Sequence, residues 1–584
     1  MTGEVYETDT QFIPETKADT ISGIWNSWNN QRQEWISEKK ELRKYLFATD
    51  TTKTSNSTLP WKNSTTLPKI TQIRDNLHSN YIAAAFPNDN WLKWEGYSLE
   101  AEVAAKKDAI TAYMANKTRE DNFRETISQL LLDYIDYGNA FVDVKFVQEF
   151  KEDPATGEQI PQYIGPRAVR IHPFNIVFNP LAESFNKSSK VVRTLKNMGE
   201  LKKDAEDQPQ NAGLQKAVKV AEEMRAEASR ASTSSKEDTD MWEGLNVDGF
   251  GNYSEYLRSG MVELLEFEGD IFDPESGKLM RNRRIVIADR MTVLLDEPLP
   301  EWLGSTKYHV GWRSRPDNGW AMGPLDNLVG MQYRIDHLEN LKADVFDLIA
   351  YPPFLVRGEV EEFTWAPNEE IHVNENGSVE FLAPPAQALN ADNQIALLEA
   401  RMEEFAGAPK QAMGIRTPGE KTAFEVQQLQ NAAGRIFQVK INNFEINLLE
   451  PLLNAMLEVA RRNLDMVDTI RVMDTDVGVV SFMNVTKEDI TAAGKLRPIG
   501  SRHFAAQAQL MQNLLQLFNS SVGQLILPNL NSTELTKLVE EALQLERFQL
   551  FQENAQLFEQ ANRERLAIQI QEQLAVEQQT PTSI

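Results

Sequence analysis

The stretch Gly414–Phe437, GIRTPGEKTAFEVQQLQNAAGRIF, decides between two folds. Read as a phosphate loop, it would belong to a nucleotide-binding α/β domain. Read as a loop that opens a long helix, it belongs to a different architecture. A phosphate loop needs G-x-x-x-x-G-K-[ST], whose backbone N–H groups cradle the phosphates while the lysine reaches in beside them. Gly414 and Gly419 have that separation, but Glu420 stands before Lys421 and Thr422. The insertion moves the lysine by one position and places a carboxylate where an anion should sit. The preceding residues, FAGAPKQAM, also lack the apolar strand that leads into such a loop. The stretch therefore reads as a Gly/Pro-punctuated loop followed by a helix.

Working outward, the helix runs from about Lys421 to Leu464, with Phe437, Ile441, Phe444, Leu448, Leu452, Met456 and Val459 on its buried face. Pro451 lies inside it. A proline there removes the hydrogen bond to the carbonyl near Asn447, at a cost of ~3 kcal/mol, so a kink is predicted. Upstream, Asp392–Phe405 is amphipathic, with Ile395, Leu398, Met402 and Phe405 on one side and Glu399, Glu403 and Glu404 beside them. Asp326–Ala350 is a second such helix. Leu328, Met331, Ile335, Leu338, Leu341, Val345 and Leu348 form its apolar stripe, and Asp336, Asn340, Ala343 and Asp347 fall on another face. Tyr351-Pro352-Pro353 stops it. Between the two helices, PFLVRGEV, IHVNENG and VEFLAPP have strand character.

The N-terminal half predicts one amphipathic helix over Asp19–Leu46, then helices over Lys69–Ala85, Glu100–Lys117 and Asn122–Tyr137. The strand AFVDVKFVQEF follows, with further strands at Gln162–Ile171 and Phe174–Phe178. The polar section Ser188–Ser259, helical at Ala212–Arg230, reads as an insertion. Met261–Ile271 and Arg283–Leu295 read as a hairpin. Short strands are expected at Thr469–Val472 and Val477–Phe482. From Ser501 the chain is helical and Gln/Glu-rich, with Leu543, Leu550 and Leu557 seven residues apart.

Composition narrows the chemistry. The 584 residues carry a formal charge of −26 and no cysteine, which excludes disulfides, zinc–thiolate sites and thiol nucleophiles. Such charge opposes a broad basic face gripping nucleic acid, yet suits a passage that nucleic acid must slide through without sticking. His78, His172, His309, His337, His372 and His503 stand singly, without metal-ligand spacing, and no G-x-S-x-G elbow occurs. No catalytic, cofactor or metal residue is predicted. The sequence has no membrane-spanning apolar run and predicts a soluble chain. Lys410, Arg416 and Lys421 flank the Gly414 loop, and Arg435 and Lys440 continue along its helix. They offer ion pairs on the helix surface or a few sequence-blind contacts to a polyanion.

The order of elements, an α+β body that is mainly helical, then helix, β insertion, helix, loop, long kinked helix and helical C-terminus, resembles the portal (head–tail connector) proteins of tailed bacteriophages, particularly short-tailed ones. The resemblance rests on RIHPFNIVFNP (Arg170–Pro180), GWAMGPLDNLVGMQYRIDHLENLKADVFDLI, the YPPF turn and GIRTPGEKTAFEVQQLQNAAGRIFQ, and it covers about residues 20–570. It implies an N-terminal arm (1–18) and a wing (19–325) containing the polar insertion at about 188–259. A stem of helices 326–350 and 392–412 would bracket a clip (351–391). Beyond it would come a tunnel loop (413–421), the long kinked wing helix with return strands (422–500), and a helical crown or short barrel (501–584).

By that resemblance about twelve copies close a heterologous ring at one capsid vertex of the virion, assembled in the host cytoplasm. The ring would conduct double-stranded DNA during packaging and ejection and dock terminase, then a tail or adaptor protein at the clip, with the major capsid protein around it. The DNA-facing tunnel loop would be Met413, Gly414, Ile415, Arg416, Thr417, Pro418, Gly419, Glu420 and Lys421. DNA carries one charge per ~1.7 Å of axis, so a carboxylate lining would keep it sliding, and Asp336, Asp347, Glu399 and Glu403 are its candidates. Ile335, Leu338, Ile395 and Met402 would pack between copies. The rival readings are a non-portal virion structural or scaffolding protein and, more remotely, a P-loop ATPase.

Overall fold

The computed structural model describes residues 16–48, 63–86, 91–97, 101–152, 159–182, 184–207, 209–230, 260–274, 276–300, 304–350, 352–358, 377–381, 391–407, 437–464, 468–473 and 480–498. The fold mixes helices with antiparallel strands and divides into two units, 1–86 with 117–464 and 87–116 with 465–584. Among the described residues, no helix is long and apolar enough to cross a membrane. The tunnel-loop residues 413–421, the first half of the long helix, and everything after 498 lie outside the described residues.

The first unit is built on a five-stranded antiparallel sheet in the order β4-β5-β6-β7-β8: Ile176–Phe178, Lys190–Asn197, Met261–Asp273, Lys278–Ala288 and Thr292–Pro298. Side chains alternate across a sheet, so its two faces take different partners. Leu265 and Phe267 meet α1 (Lys17–Gln31) through Ala18, Ile21 and Trp25. Val262 and Leu264 meet α6 (Met198–Asp207) and α7 (Ala212–Arg230) through Leu201, Ala205, Leu214, Ala217 and Ala221. Each buried Leu- or Ile-sized side chain adds roughly 1.5–3 kcal/mol of transfer free energy. The polar section is therefore more than an insertion: its first strand, β5, is internal to the sheet, and α6 and α7 cover one face. The expected two-strand hairpin is three strands. Asp289 (φ 47°) and Arg290 (φ 62°) turn the chain between β7 and β8. Left-handed backbone is uncommon without glycine, and here Arg290 is pinned by Glu263 at 2.7 and 2.9 Å and by Asn26 at 2.9 Å.

A second sheet, β3-β2-β9 (Gln159–Ile171, Asn139–Glu152, Lys307–Gly311), carries Asp143 and Lys307 in register on neighbouring strands. Lys307 Nζ lies 2.8 Å from Glu266 and 2.8 Å from Glu268 of the first sheet, so the two sheets meet through ions as well as through Phe141, Phe178 and Trp320. Gly138 has φ 72°, and a Cβ there would sit 2.3 Å from the Gly323 nitrogen, which explains the glycine in the Tyr137-Gly138-Asn139 turn.

The helix expected over Asp19–Leu46 is broken at Arg32 (φ −103°, ψ 9°) into α1 and α2 (Gln33–Leu46). A Thr16/Asp19 capping box starts α1. The helices α3 (Lys69–Ala85), α5 (Phe123–Asp136), α8 (Val329–Ala350) and α9 (Asp392–Phe405) follow the sequence periodicity. Pro451 is accommodated in an unexpected way. Residues 437–444 are helical, Glu445–Leu449 form one π turn, and α10 (Glu450–Asn463) continues with Pro451 in its first turn. The missing N–H falls where the hydrogen-bond register is changing, so the helix continues through the proline on a widened turn.

In the second unit, β1 (Leu92–Gly96) pairs antiparallel with β14 (Gly494–Pro498), and β12 (Asp468–Met473) with β13 (Val480–Val485). Helix α4 (Ala101–Glu120) crosses the division at 116/117, and the single-turn α11 (Lys487–Ile490) is closed by a Thr486/Asp489 capping box. The return strands thus group with residues 87–116, a partner the sequence did not indicate.

Candidate assembly and nucleic-acid surface

Apart from Pro451, the expected site residues that are described all lie on the helix pair α8/α9. Lys342 joins the two, with its Nζ 2.6 Å from Asp392 at the start of α9 and 3.5 Å from Glu339. Between them, β10 (Phe354–Arg357) and β11 (Ser378–Phe381) pair antiparallel, with Phe354 opposite Phe381.

The polar face of α8 is occupied. An extended strap, residues 63–68, runs along it and is held by side chains four residues apart. Gln332 Oε1 accepts from Ile70 N–H at 3.3 Å, and Gln332 Nε2 donates to the Leu67 carbonyl. Asp336 Oδ1 accepts from Leu67 N–H at 3.0 Å and from Gln332 Nε2 at 2.8 Å. Asn340 accepts from Thr65 N–H at 2.9 Å and donates to the Thr65 carbonyl at 3.0 Å. Asp344 accepts from the Asn63 N–H at 3.0 Å and from its Nδ2 at 2.7 Å, and Asp347 accepts from that Nδ2 at 3.2 Å. Residues at i and i+4 lie one above another on a helix, so this stripe supplies the partners that a neighbouring strand would otherwise give to the strap.

The expectations for two of the lining carboxylates, for the four packing residues and for Lys440 change. Asp336 is 0 % exposed and Glu403 5 % exposed, the latter with its carboxylate 2.9 Å from Lys69, so neither is placed to line a passage. Asp347 and Glu399 are partly exposed. Ile335, Leu338, Ile395 and Met402 are all buried inside one chain and are unavailable between copies. The apolar side chains the pair leaves exposed are Phe346, Leu348, Ile349, Leu397 and Phe405. Lys440, read as a helix-surface ion pair or a contact to a polyanion, instead donates to the Trp312 carbonyl at 2.5 Å and lies over the Trp312 ring at 4.4 Å. Burial first, and Arg313 second, lower its pKa. With Phe437 stacked on Tyr81 at 4.9 Å, it anchors the chain where the described residues resume after the Gly414 loop.

The RIHPFNIVFNP segment is a gripped turn. Arg170 makes a bidentate pair with Asp133 at 2.6 Å on both arms. His172 Nδ1 accepts from Phe174 N–H at 3.2 Å, capping the 3-10 turn Pro173–Asn175, which leaves Nε2 to face Tyr137 Oη at 3.2 Å. Arg32, 4 % exposed, donates to the carbonyls of Pro173, Phe174 and Ile176 at 2.7, 2.6 and 2.7 Å. It is the residue that breaks α1 from α2, and sequence reading missed it because a lone arginine in an amphipathic helix looks solvated. His309 is half-buried, stacked on Phe141 at 4.5 Å, with Nε2 donating to Asn139 at 3.0 Å. Among the described residues, no three His, Asp or Glu side chains converge to hold a metal. No protein-family model matches this sequence, and no curated protein matches it.

Proposed function

We propose that the chain assembles into a ring around a passage for double-stranded DNA and serves as the portal, or head–tail connector, of a tailed bacteriophage. The observation that carries this reading is the α8–β10/β11–α9 unit. Its inner apolar residues are consumed within the chain, while Phe346, Leu348, Ile349, Leu397 and Phe405 remain exposed. Apolar side chains left in water on a helix pair favour covering by another surface. In a ring they would meet the next copy, and closure would repeat one heterologous contact. The α10 helix with the π turn before it and a charge of −26 are consistent with this assignment.

In this role the protein does no chemistry. A separate ATPase drives DNA inward, Asp347 and Glu399 face it with like charge, and Arg416 and Lys421 on the loop make transient, sequence-independent phosphate contacts. The β10/β11 end meets terminase and later the tail adaptor, and the ring is held by the capsid protein in the virion. Negative-stain microscopy of the purified chain tests the assignment: rings with a central hole are expected, and filaments or monomers overturn it. Deleting Met413–Glu420 should leave rings intact while impairing packaging or retention.

A further inference from the structure

The strap on α8 has an electrostatic peculiarity that is independent of ring formation. Asp336 is fully enclosed, its Oδ1 takes the Leu67 N–H and the Gln332 amide, and its Oδ2 has no hydrogen-bond partner among the described residues. Among the described residues, no cation pairs with it. The strap itself, Asn63 to Pro68, carries no ionisable side chain. On α3, Lys69 is engaged by Glu403 at 2.9 Å and Gln72 at 3.0 Å, and Arg74 by Asp136. On α9 the ionisable groups are Asp392, held by Lys342, with Glu399, Arg401, Glu403 and Glu404. On α8 the neighbours are Tyr333, Arg334, His337, Glu339 and Lys342. None of these charges acts on the Asp336 carboxyl. Burial raises its pKa to about 6, and the bonds from Leu67 and Gln332 offset that only in part.

We propose that residues 63–68 form a pH-responsive latch on α8, closed most firmly when Asp336 is protonated and loosened when it ionises. Enclosing a carboxylate with one oxygen unsatisfied is unfavourable, whereas the neutral acid keeps its Oδ1 bonds at little cost. Lifting the strap returns Asp336 to water and to an ordinary carboxyl affinity for protons. Opening therefore becomes easier as pH rises through the range between the two states. It would uncover a stripe of Gln332, Asp336, Asn340 and Asp344, whose carboxylates are now partnered by the strap.

Amide hydrogen exchange on the full-length chain at pH 5, 6 and 7, corrected for intrinsic exchange, tests the latch. Protection at Thr65 and Leu67 should fall roughly tenfold from pH 5 to pH 7, while protection in β6 stays level. Asp336→Asn should flatten the strap's response, and Asp344→Asn, at a more exposed rung, should keep it. Strap protection that is level or rising in the wild-type chain overturns the proposal, and so does a slope that survives in Asp336→Asn. The wild-type comparison of strap with β6 decides the matter even if a variant fails to fold.

Discussion

Lys307 Nζ and Glu268 Oε2 lie 2.8 Å apart with their side chains 1 % and 2 % exposed, an ion pair sealed between two sheets. Glu266 shares the lysine, and Lys190 approaches Glu268 at 3.9 Å. Burial, the largest single influence, pushes both carboxyls up, but Lys307 together with Arg284 and Lys145 at Glu266, and with Lys190 at Glu268, holds them below the usual carboxylate range. Removing the lysine alone, as Lys307→Met, leaves the buried Glu268 with only Lys190 at 3.9 Å and the half-buried Glu266 with Arg284 at 3.0 Å, and should cost about 3–5 kcal/mol. The triple variant Lys307→Met, Glu266→Leu, Glu268→Leu should recover most of that loss. Urea denaturation of the two variants makes the comparison. Because the folded carboxyls are depressed, their stabilisation is complete above the unfolded value and is lost as pH falls below about 4.

Acid should also act through His172. Burial first, then Arg170, Arg43, Arg32 and Arg193, push its pKa down to about 4. The unfolded chain binds this proton near pH 6.5 and the folded chain does not, so stability falls as pH drops from about 6.5 to 4, by at most about 3 kcal/mol. His172→Asn keeps a capping acceptor for Phe174 N–H and should remove this part of the slope. Thermal melts across that pH range read it directly.

Arg32→Met leaves two buried carbonyls and a half-buried one without their donor and should lower stability by about 2–4 kcal/mol. Arg32→Lys keeps the charge but loses the planar fork, so it should recover only part. Near-ultraviolet circular dichroism should change with it, since Trp25 and Trp320 lie 6.0 and 5.3 Å from the guanidinium.

The ring proposal separates core from surface. Ile335→Ala should destabilise the protomer by about 2–5 kcal/mol. Phe346→Asp with Leu397→Asp alters exposed positions, so it should leave the melting temperature within a few degrees and convert rings to monomers in light-scattering chromatography. Rings that persist would place the contact elsewhere.

Where punctuation and periodicity agree, the sequence located the elements. Phe86-Pro87 ends α3, Asp392 starts α9, and Ala212–Arg230 is α7. Strand β5 was hidden because Lys190 and Arg193 sit within it, and only the folded sheet supplies Glu268 and Asn175 as their neighbours. The turn at Asp289-Arg290 carried no glycine to mark it. On α8 the period showed which residues share a face but not what covers that face. Asp336 looked like a lining residue because its partner, Leu67, is 269 positions away. Similarly, Ile335 and Met402 were legible as apolar, though not as already packed.

The α8 ladder touches the strap almost wholly through main-chain N–H and C=O groups. At those rungs recognition is blind to side-chain identity, so Thr65 and Leu67 are free to change provided the backbone stays extended and neither becomes proline, whereas Asn63 gives its Nδ2 to Asp344 and Asp347 and Thr66 is buried. The helix has no such freedom, because its four-residue spacing is the template. In a mutational scan the information should therefore sit mainly on one side of the contact: positions 332, 336 and 340 intolerant, and Thr65 and Leu67, which they hold by main-chain groups, permissive.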